Sequence, residues 1–298
     1  MHQNFIFYFF GISIERKKEM EPYSPGDSCS PKRRTKGGSR NSVQTCFSYQ
    51  SLARIARRYN DSNPRDKIPM HRSRDRLWRE IRKRMPRCNN ERCWTRASFL
   101  KSDDRKKLIE DFKPPIPQGK YDWLNTKDID HVLKGYERVF PQFKFLGTYP
   151  IDFQDTDPQL FDPLNTTALR RAGKKKAGLV LNLDSSDEPG SHWVAVLLDL
   201  ENRVFEFFDS YGDAPPAEVK EFYRQLDRRS RKGWKMRVNR TAHQRKNSEC
   251  GVYAIHFIVR RISGTPFKQA SEQVIRDAEM NSKRRYYFDP HSPYNNFI

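Results

Sequence analysis

"HQRKNSECGVYAIHFIVRRI" occupies residues 243–262. Its first seven residues are polar. The rest place Val252, Ile255, Phe257, Ile258, Val259 and Ile262 at the spacing of a helix buried on most of its surface. The switch falls at Cys250, so the pattern predicts a helix whose first residue is a cysteine. A thiol reacts as its thiolate, and a helix N-terminus and a nearby imidazolium both favour that form. Gly251 carries no side chain beside the sulfur, which leaves room for a substrate backbone. A cysteine opening an apolar helix is more often a core residue, so the reading depends on what else the chain brings to it.

A nucleophilic thiol needs a base. His256 stands six residues along the same helix, about 240° around at 100° per residue, and faces away. His243 lies in the polar loop. His192 opens "HWVAVLLDL" (192–200), the strongest strand-like run, and "RVFEFFDS" (203–210) follows after a short connection at Glu201-Asn202. In such a hairpin the start of one strand and the end of the next are neighbours. Asp209 therefore lies beside His192, placed to orient the imidazole through Nδ1. Gln244, six positions before Cys250, can offer its amide to an oxyanion hole together with the Cys250 backbone N–H. Each residue is a weak signal alone; their order and spacing carry the argument.

"AGLVLNL" (177–183) and "WKMRVNR" (234–240) read as further strands and "AEVKEFYRQLDRR" (217–229) as a surface helix. "TKDIDHVLKGYERVF" follows Asn125, and either Asn125 or Thr126 can cap a helix carrying Ile129, Val132, Leu133 and Tyr136. Strands followed by a helix, with a helical preface, predict an α+β domain. "KPPIPQG" (113–119) breaks the pattern and marks a boundary. Before it, "SLARIARRY", "RDRLWREIRKRM" and "DDRKKLIEDF" have helical spacing with many basic residues. Residues 21–45 are rich in Ser, Pro, Gly and basic residues, too poor in apolar surface to order themselves. The expected organisation is a disordered basic tail over 1–45, a helical basic region over 46–112 and a catalytic domain over 113–298.

The chain has 298 residues and a formal charge of +20. Residues 1–90 hold 21 Lys and Arg against 8 Asp and Glu, so contact between this region and nucleic acid is one expectation. Five cysteines, at 29, 46, 88, 93 and 250, are odd in number and scattered, which argues against a disulfide framework and for a reducing compartment. Cys88 and Cys93 lack the second ligand pair of a zinc site, and nothing calls for a metal or another cofactor. The apolar run from Phe5 to Ile14 is too short to span a bilayer and lacks the flanks of a signal peptide, so neither membrane insertion nor secretion is expected; Met20 is an alternative start.

"HWVAVLLDLENRVFEFFDSYG" and "HQRKNSECGVYAIHF" together resemble the cysteine proteases that process SUMO and related modifiers, and the adenovirus-type proteases. The overall look is nearest to the polyprotein-processing proteases of large cytoplasmic DNA viruses, the African swine fever virus type. The shared features are the C-x4-C preface, the "HQR…ECG" block and a helical N-terminal region. "DWLNTKDIDHVL" (122–133) resembles the helix that opens the SUMO-protease domain. The resemblance implies a papain-like core with His192 as base, Asp209 as its orienter, Gln244 as oxyanion donor and Cys250 as nucleophile. It also implies cleavage after Gly-Gly in a narrow slot roofed by tryptophans, here Trp193 and Trp123. Asp209 follows the SUMO proteases where the swine fever type carries Asn. The substrate implied is a viral core polyprotein cut during virion maturation, in virion and host cytoplasm, or a ubiquitin-like modifier inside a cell. An acyltransferase of the related clan and a nucleic-acid-binding scaffold are the readings from other classes; Trp193 with Gln244 favours a peptidase. Gly37-Gly38 within "TKGGSR" is a candidate site for self-cleavage.

Overall fold

The computed structural model describes residues 28–31, 45–117, 123–156, 166–230 and 233–293. The N-terminal elements are α1 (Tyr49–Ser62), α2 (Arg74–Arg84), α3 (Glu91–Trp94), α4 (Ser102–Ile109) and the short β1 (Pro115–Ile116). After them come α5 (Thr126–Val139), β2 (Phe143–Pro150), α6 (Phe153–Thr156), α7 (Thr166–Arg171), β3 (Lys176–Asn182), β4 (Trp193–Asp199), β5 (Val204–Phe208), α8 (Ala217–Arg229) and β6 (Lys235–Val238). The last elements are α9 (Cys250–Ile262), α10 (Phe267–Glu272), α11 (Asp277–Ser282), α12 (Arg284–Tyr287) and β7 (Asp289–Pro293).

One sheet has the order β2-β3-β4-β5-β6: the outer pairs are parallel and the two inner pairs antiparallel. Its central strands are buried on both faces, and the period of two sorts their side chains. Trp193, Ala195, Leu197 and Phe208 face a core built with α5 and α9. Val194, Val196, Leu198, Phe205 and Phe207 face a second core closed by Val219, Phe222 and Leu226 of α8. This is the α+β, papain-like arrangement that the resemblance implies. Asn125 caps α5, and a reciprocal bond from its own N–H to Asp128 completes a capping box. The strand "FKFLGTYP" of β2 has no counterpart among the strands expected from sequence; Gly147 (φ +135°) interrupts its alternation at a register shift.

The N-terminal helices share a third core, with Phe47, Leu52, Ile55, Leu77, Ile81, Trp94, Leu108 and Phe112 all buried. Two expectations are corrected here. The segment expected to be disordered as far as residue 45 places Ser28–Pro31 against the end of this core: Ser30 N–H donates to the Asp111 carbonyl and Lys113 N–H to the Ser28 carbonyl, each at 2.9 Å. The cysteines expected to be unpaired form two disulfides, Cys29–Cys46 and Cys88–Cys93, with Cα atoms 4.9 and 5.5 Å apart, within the range a disulfide spans. Folding, not spacing along the chain, sets those separations. Cys250 is the free thiol. The inference from scattered cysteines to a reducing compartment lapses with the two bridges.

Among the described residues no helix is long and apolar enough to cross a membrane, and no group of His, Cys, Asp or Glu is arranged to hold a metal ion.

Candidate active site

Cys250 opens α9, and Glu249 before it occupies the N-cap position. The first backbone N–H groups of a helix have no partner within it, so the Cys250 N–H is available to another acceptor. The sulfur is buried, with the residue only 2% exposed. Around it stand the two residues that the hairpin argument places together. His192 immediately precedes β4 and Asp209 immediately follows β5. The imidazole Nε2 lies 2.7 Å from Asp209 Oδ1. The sequence reading assigns this contact to Nδ1. In the structure Asp209 holds Nε2, which leaves Nδ1 to serve the thiol.

The Cys250 side chain is close enough to the His192 ring to influence its charge. Burial pulls the His192 pKa down, but the hydrogen bond to Asp209, and the attraction of Asp209 and Cys250, outweigh it and push it up to about 9. The pair of contacts favours the charged form of the ring.

Two residues outside the sequence-derived set complete the support. Tyr211 stacks on the imidazole with ring centroids 4.6 Å apart, and its hydroxyl donates to the Lys246 carbonyl at 3.0 Å. Extending the β4–β5 register beyond Ala195↔Phe208 sets residue 211 opposite 192, so the hairpin itself carries the signal for this partner. Asn239, just past the end of β6, accepts from the Asp209 N–H at 2.8 Å and donates to its carbonyl at 2.7 Å. No local signal marks Asn239, because β5–β6 pairing is long-range.

Gln244 is buried beside this turn. Its Oε1 accepts from Ser210 Oγ at 2.7 Å and its backbone N–H donates to the Ser210 carbonyl at 2.9 Å. Its Nε2 donates to the Lys246 carbonyl and, at a longer 3.4 Å, to the Tyr211 hydroxyl, so both amide hydrogens have partners. Gly212 (φ +82°) allows this packing. A Cβ there would sit 2.9 Å from the backbone of Thr241 and Ala242, so the two loops meet only because residue 212 has none.

The other two histidines near the site have structural partners. His243 is buried, with Nε2 2.8 Å from the Ser271 carbonyl. His256 lies 2.6 Å from the Tyr287 hydroxyl through Nδ1, and burial, then Lys283 and Arg260, drive its pKa well below the ordinary value.

Gly251 behaves differently from the expectation. The space a Cβ would take there is filled by Leu124, 3.0 Å away, rather than left for substrate. Trp193 is buried and donates from Nε1 to the Leu124 carbonyl at 2.8 Å, which fixes the segment resting on Gly251. Trp123 is 41% exposed. Both tryptophans line one cleft of about 440 Å³, with Asn182, Asp184, Glu188 and Gly190 on its other wall. Gly37-Gly38 and Met20 lie outside the described residues.

Residues 179–294 match the model of the Ulp1 protease family, C-terminal catalytic domain. A putative thiol protease of Acanthamoeba polyphaga mimivirus is 28% identical over 286 residues, covering 87% of this chain and 92% of that protein. A cysteine protease of African swine fever virus is 26% identical over 230 residues, covering 67% of this chain and 83% of its own. This chain is a cysteine peptidase. The crystal structure of an African swine fever virus protease superposes with a TM-score of 0.63 at 20% identity, over 90% of this chain and 97% of that one, so the helical N-terminal part lies inside the shared fold.

Proposed function

We propose that this peptidase cleaves polypeptides after Gly-Gly through a His192–Asp209–Cys250 triad. The carrying observation is the buried constellation itself: one free thiol at a helix N-terminus, beside an imidazole that a buried carboxylate holds 2.7 Å from Nε2. Cys250 Sγ attacks the carbonyl carbon. The negative oxygen that forms is met by the Cys250 backbone N–H and by a Gln244 amide hydrogen that exchanges its long bond to Tyr211 for the oxyanion. His192 hands the proton to the leaving amine, and water then hydrolyses the thioester with His192 as base. Asp209 keeps the ring oriented and stabilises its charged form.

The Gly-Gly preference rests on the resemblance and on the two tryptophans it names: exposed Trp123 and buried Trp193, the residue after His192, line one cleft. Several African swine fever virus relatives are described as SUMO-1 cysteine proteases. Extended Gly-Gly segments are common to a viral polyprotein and to a ubiquitin-like modifier. The physiological substrate proposed is a viral polyprotein cut within the assembling particle, a choice that rests on the resemblance seen in the sequence.

The test is a panel of Gly-Gly-x peptides alongside a SUMO-linked reporter, with Cys250→Ala as control. The expected outcome is cleavage after the second glycine, lost in Cys250→Ala and reduced at least tenfold when that glycine is alanine. Equal cleavage after alanine would end the Gly-Gly reading, and turnover by Cys250→Ala would end the triad reading. Cleavage of the reporter but not the free peptides would favour a deconjugase.

A further inference from the structure

Glu249, immediately before the nucleophile, is a carboxylate only 1% exposed. At the N-cap of a helix a short polar side chain usually accepts from the first turn, but Glu249 makes no such bond. Its side chain turns the other way. Oε2 accepts from Arg284 Nε at 3.1 Å, and Oε1 accepts from Asn281 Nδ2 at 2.7 Å and from Ser248 Oγ at 3.1 Å. Arg284 is 3% exposed and also donates from Nη2 to the Ser248 carbonyl at 3.1 Å. Two consecutive residues ahead of Cys250 are thus tied to α11 and α12 by one buried cation and one amide.

The peptide group joining Glu249 to Cys250 is held from both sides. Its carbonyl accepts from the Tyr253 N–H at 3.0 Å, inside the first turn of α9. Its N–H belongs to Cys250 and is the backbone donor proposed above for the oxyanion. Rotation of this peptide group would move that N–H, and the ties through Glu249 and Ser248 resist the rotation. Donors that are already aimed where charge develops need no reorganisation during the reaction.

We infer that Glu249 and Arg284 are positioning residues: a buried ion pair that fixes the orientation of the Cys250 backbone N–H for catalysis. This rests on the triad and oxyanion assignment above. Neither residue touches the substrate; both act through the 249–250 peptide group.

The same helix supplies the control. At its far end Arg261 grips Glu206 of β5 with two buried bonds, Nε to Oε2 at 2.6 Å and Nη2 to Oε1 at 2.7 Å. Arg261 lies eleven residues from Cys250, about 16 Å along the helix. Each pair can be neutralised together, as Glu249→Gln/Arg284→Met and Glu206→Gln/Arg261→Met. Removing both charges of a buried pair usually leaves a protein folded. Two substrates are used: a Gly-Gly-x peptide, and p-nitrophenyl acetate, which acylates the same thiol through the same oxyanion site but reads no peptide sequence.

Glu249→Gln/Arg284→Met should lower kcat for peptide, and the acylation rate for ester, at least tenfold, with KM for the peptide within about twofold. Alkylation of Cys250 by iodoacetamide forms no oxyanion, so its rate and pH profile should stay unchanged. Glu206→Gln/Arg261→Met should keep kcat within about twofold. Glu249→Gln alone, which preserves shape and an acceptor oxygen, should fall in between and guards against misfolding of the double variant. The inference is overturned if the Glu249/Arg284 variants keep their acylation rate, or if the Glu206/Arg261 variant loses as much. It is also overturned if alkylation falls in parallel, which would mean that the thiol and not the N–H has moved. Silence toward the peptide with normal ester acylation by the unaltered enzyme would sink the Gly-Gly reading alone. Ester acylation persisting in Cys250→Ala would sink the triad reading.

Discussion

At the scale of single residues the site is governed by the competition around His192. Burial disfavours its charged form; Asp209 and Cys250 favour it and prevail. The direction fixes two pH effects. Leaving-group protonation needs the imidazolium, so kcat/KM should hold through neutral pH and decline as pH rises through about 9. Because the pKa is raised in the folded protein from an ordinary 6.5, His192 contributes stability that is fully present below pH 6.5 and is lost as pH climbs to about 9. Asp209→Asn keeps an acceptor for the ring N–H but removes the carboxylate charge. Its alkaline limit should therefore move toward neutrality, and it should remain more active than His192→Ala. A pH–rate profile of the two enzymes checks this, and an unmoved alkaline limb in Asp209→Asn would show that the aspartate does not set it.

At the scale of elements the hairpin and the catalytic helix do most of the positioning, and both are readable in the sequence. "HWVAVLLDL" and "RVFEFFDS" are apolar enough to be strands buried on both faces, and antiparallel pairing then brings His192 and Asp209 together. The observed link spans residues 200–203, with Arg203 in the left-handed region (φ +53°), rather than the two residues the sequence predicts. The ion pair that anchors α9 to β5 is not readable. Glu206 has the pattern of the polar side of a half-exposed strand, yet it is fully buried because Arg261, 55 residues away, covers it. Leaving that carboxylate without its main partner is costly, and Arg237, 3.7 Å away and half exposed, compensates only partly. Arg261→Met should destabilise the protein by about 3 kcal/mol, lowering Tm by about 6–12 °C. A melt that moves by less than about 2 °C would mean that Arg237 takes over.

At the scale of the whole molecule the N-terminal helices and the catalytic domain are bolted together by contacts that no local pattern announces. β1 pairs with β7. Arg92 donates to Asp289 at 2.8 Å, Ser28 Oγ donates to the same carboxylate at 2.8 Å, and Lys113 Nζ reaches the Arg285 carbonyl at 3.1 Å. The Ser28–Asp289 contact spans 261 positions of sequence, which is why composition alone does not place Ser28. The packing changes how the charge of this region is best probed. A deletion ending near residue 86 would split the core that joins Leu52 and Ile81 to Trp94 and Leu108, so surface substitutions are the sounder instrument. Arg76, Arg79 and Arg82 of α2 are exposed. If the basic face of this region contacts nucleic acid, binding releases counterions, and each phosphate neutralised contributes about 0.9 to the slope of log K against log salt. Arg76→Gln/Arg79→Gln/Arg82→Gln should therefore flatten that slope by up to about 2.7 and leave cleavage of a short peptide unchanged, since the proposed triad stands at the ends of β4, β5 and α9. Fluorescence anisotropy with a random duplex at several salt concentrations reads the slope. A slope equal to that of the unaltered protein would place any nucleic-acid contact elsewhere on the chain.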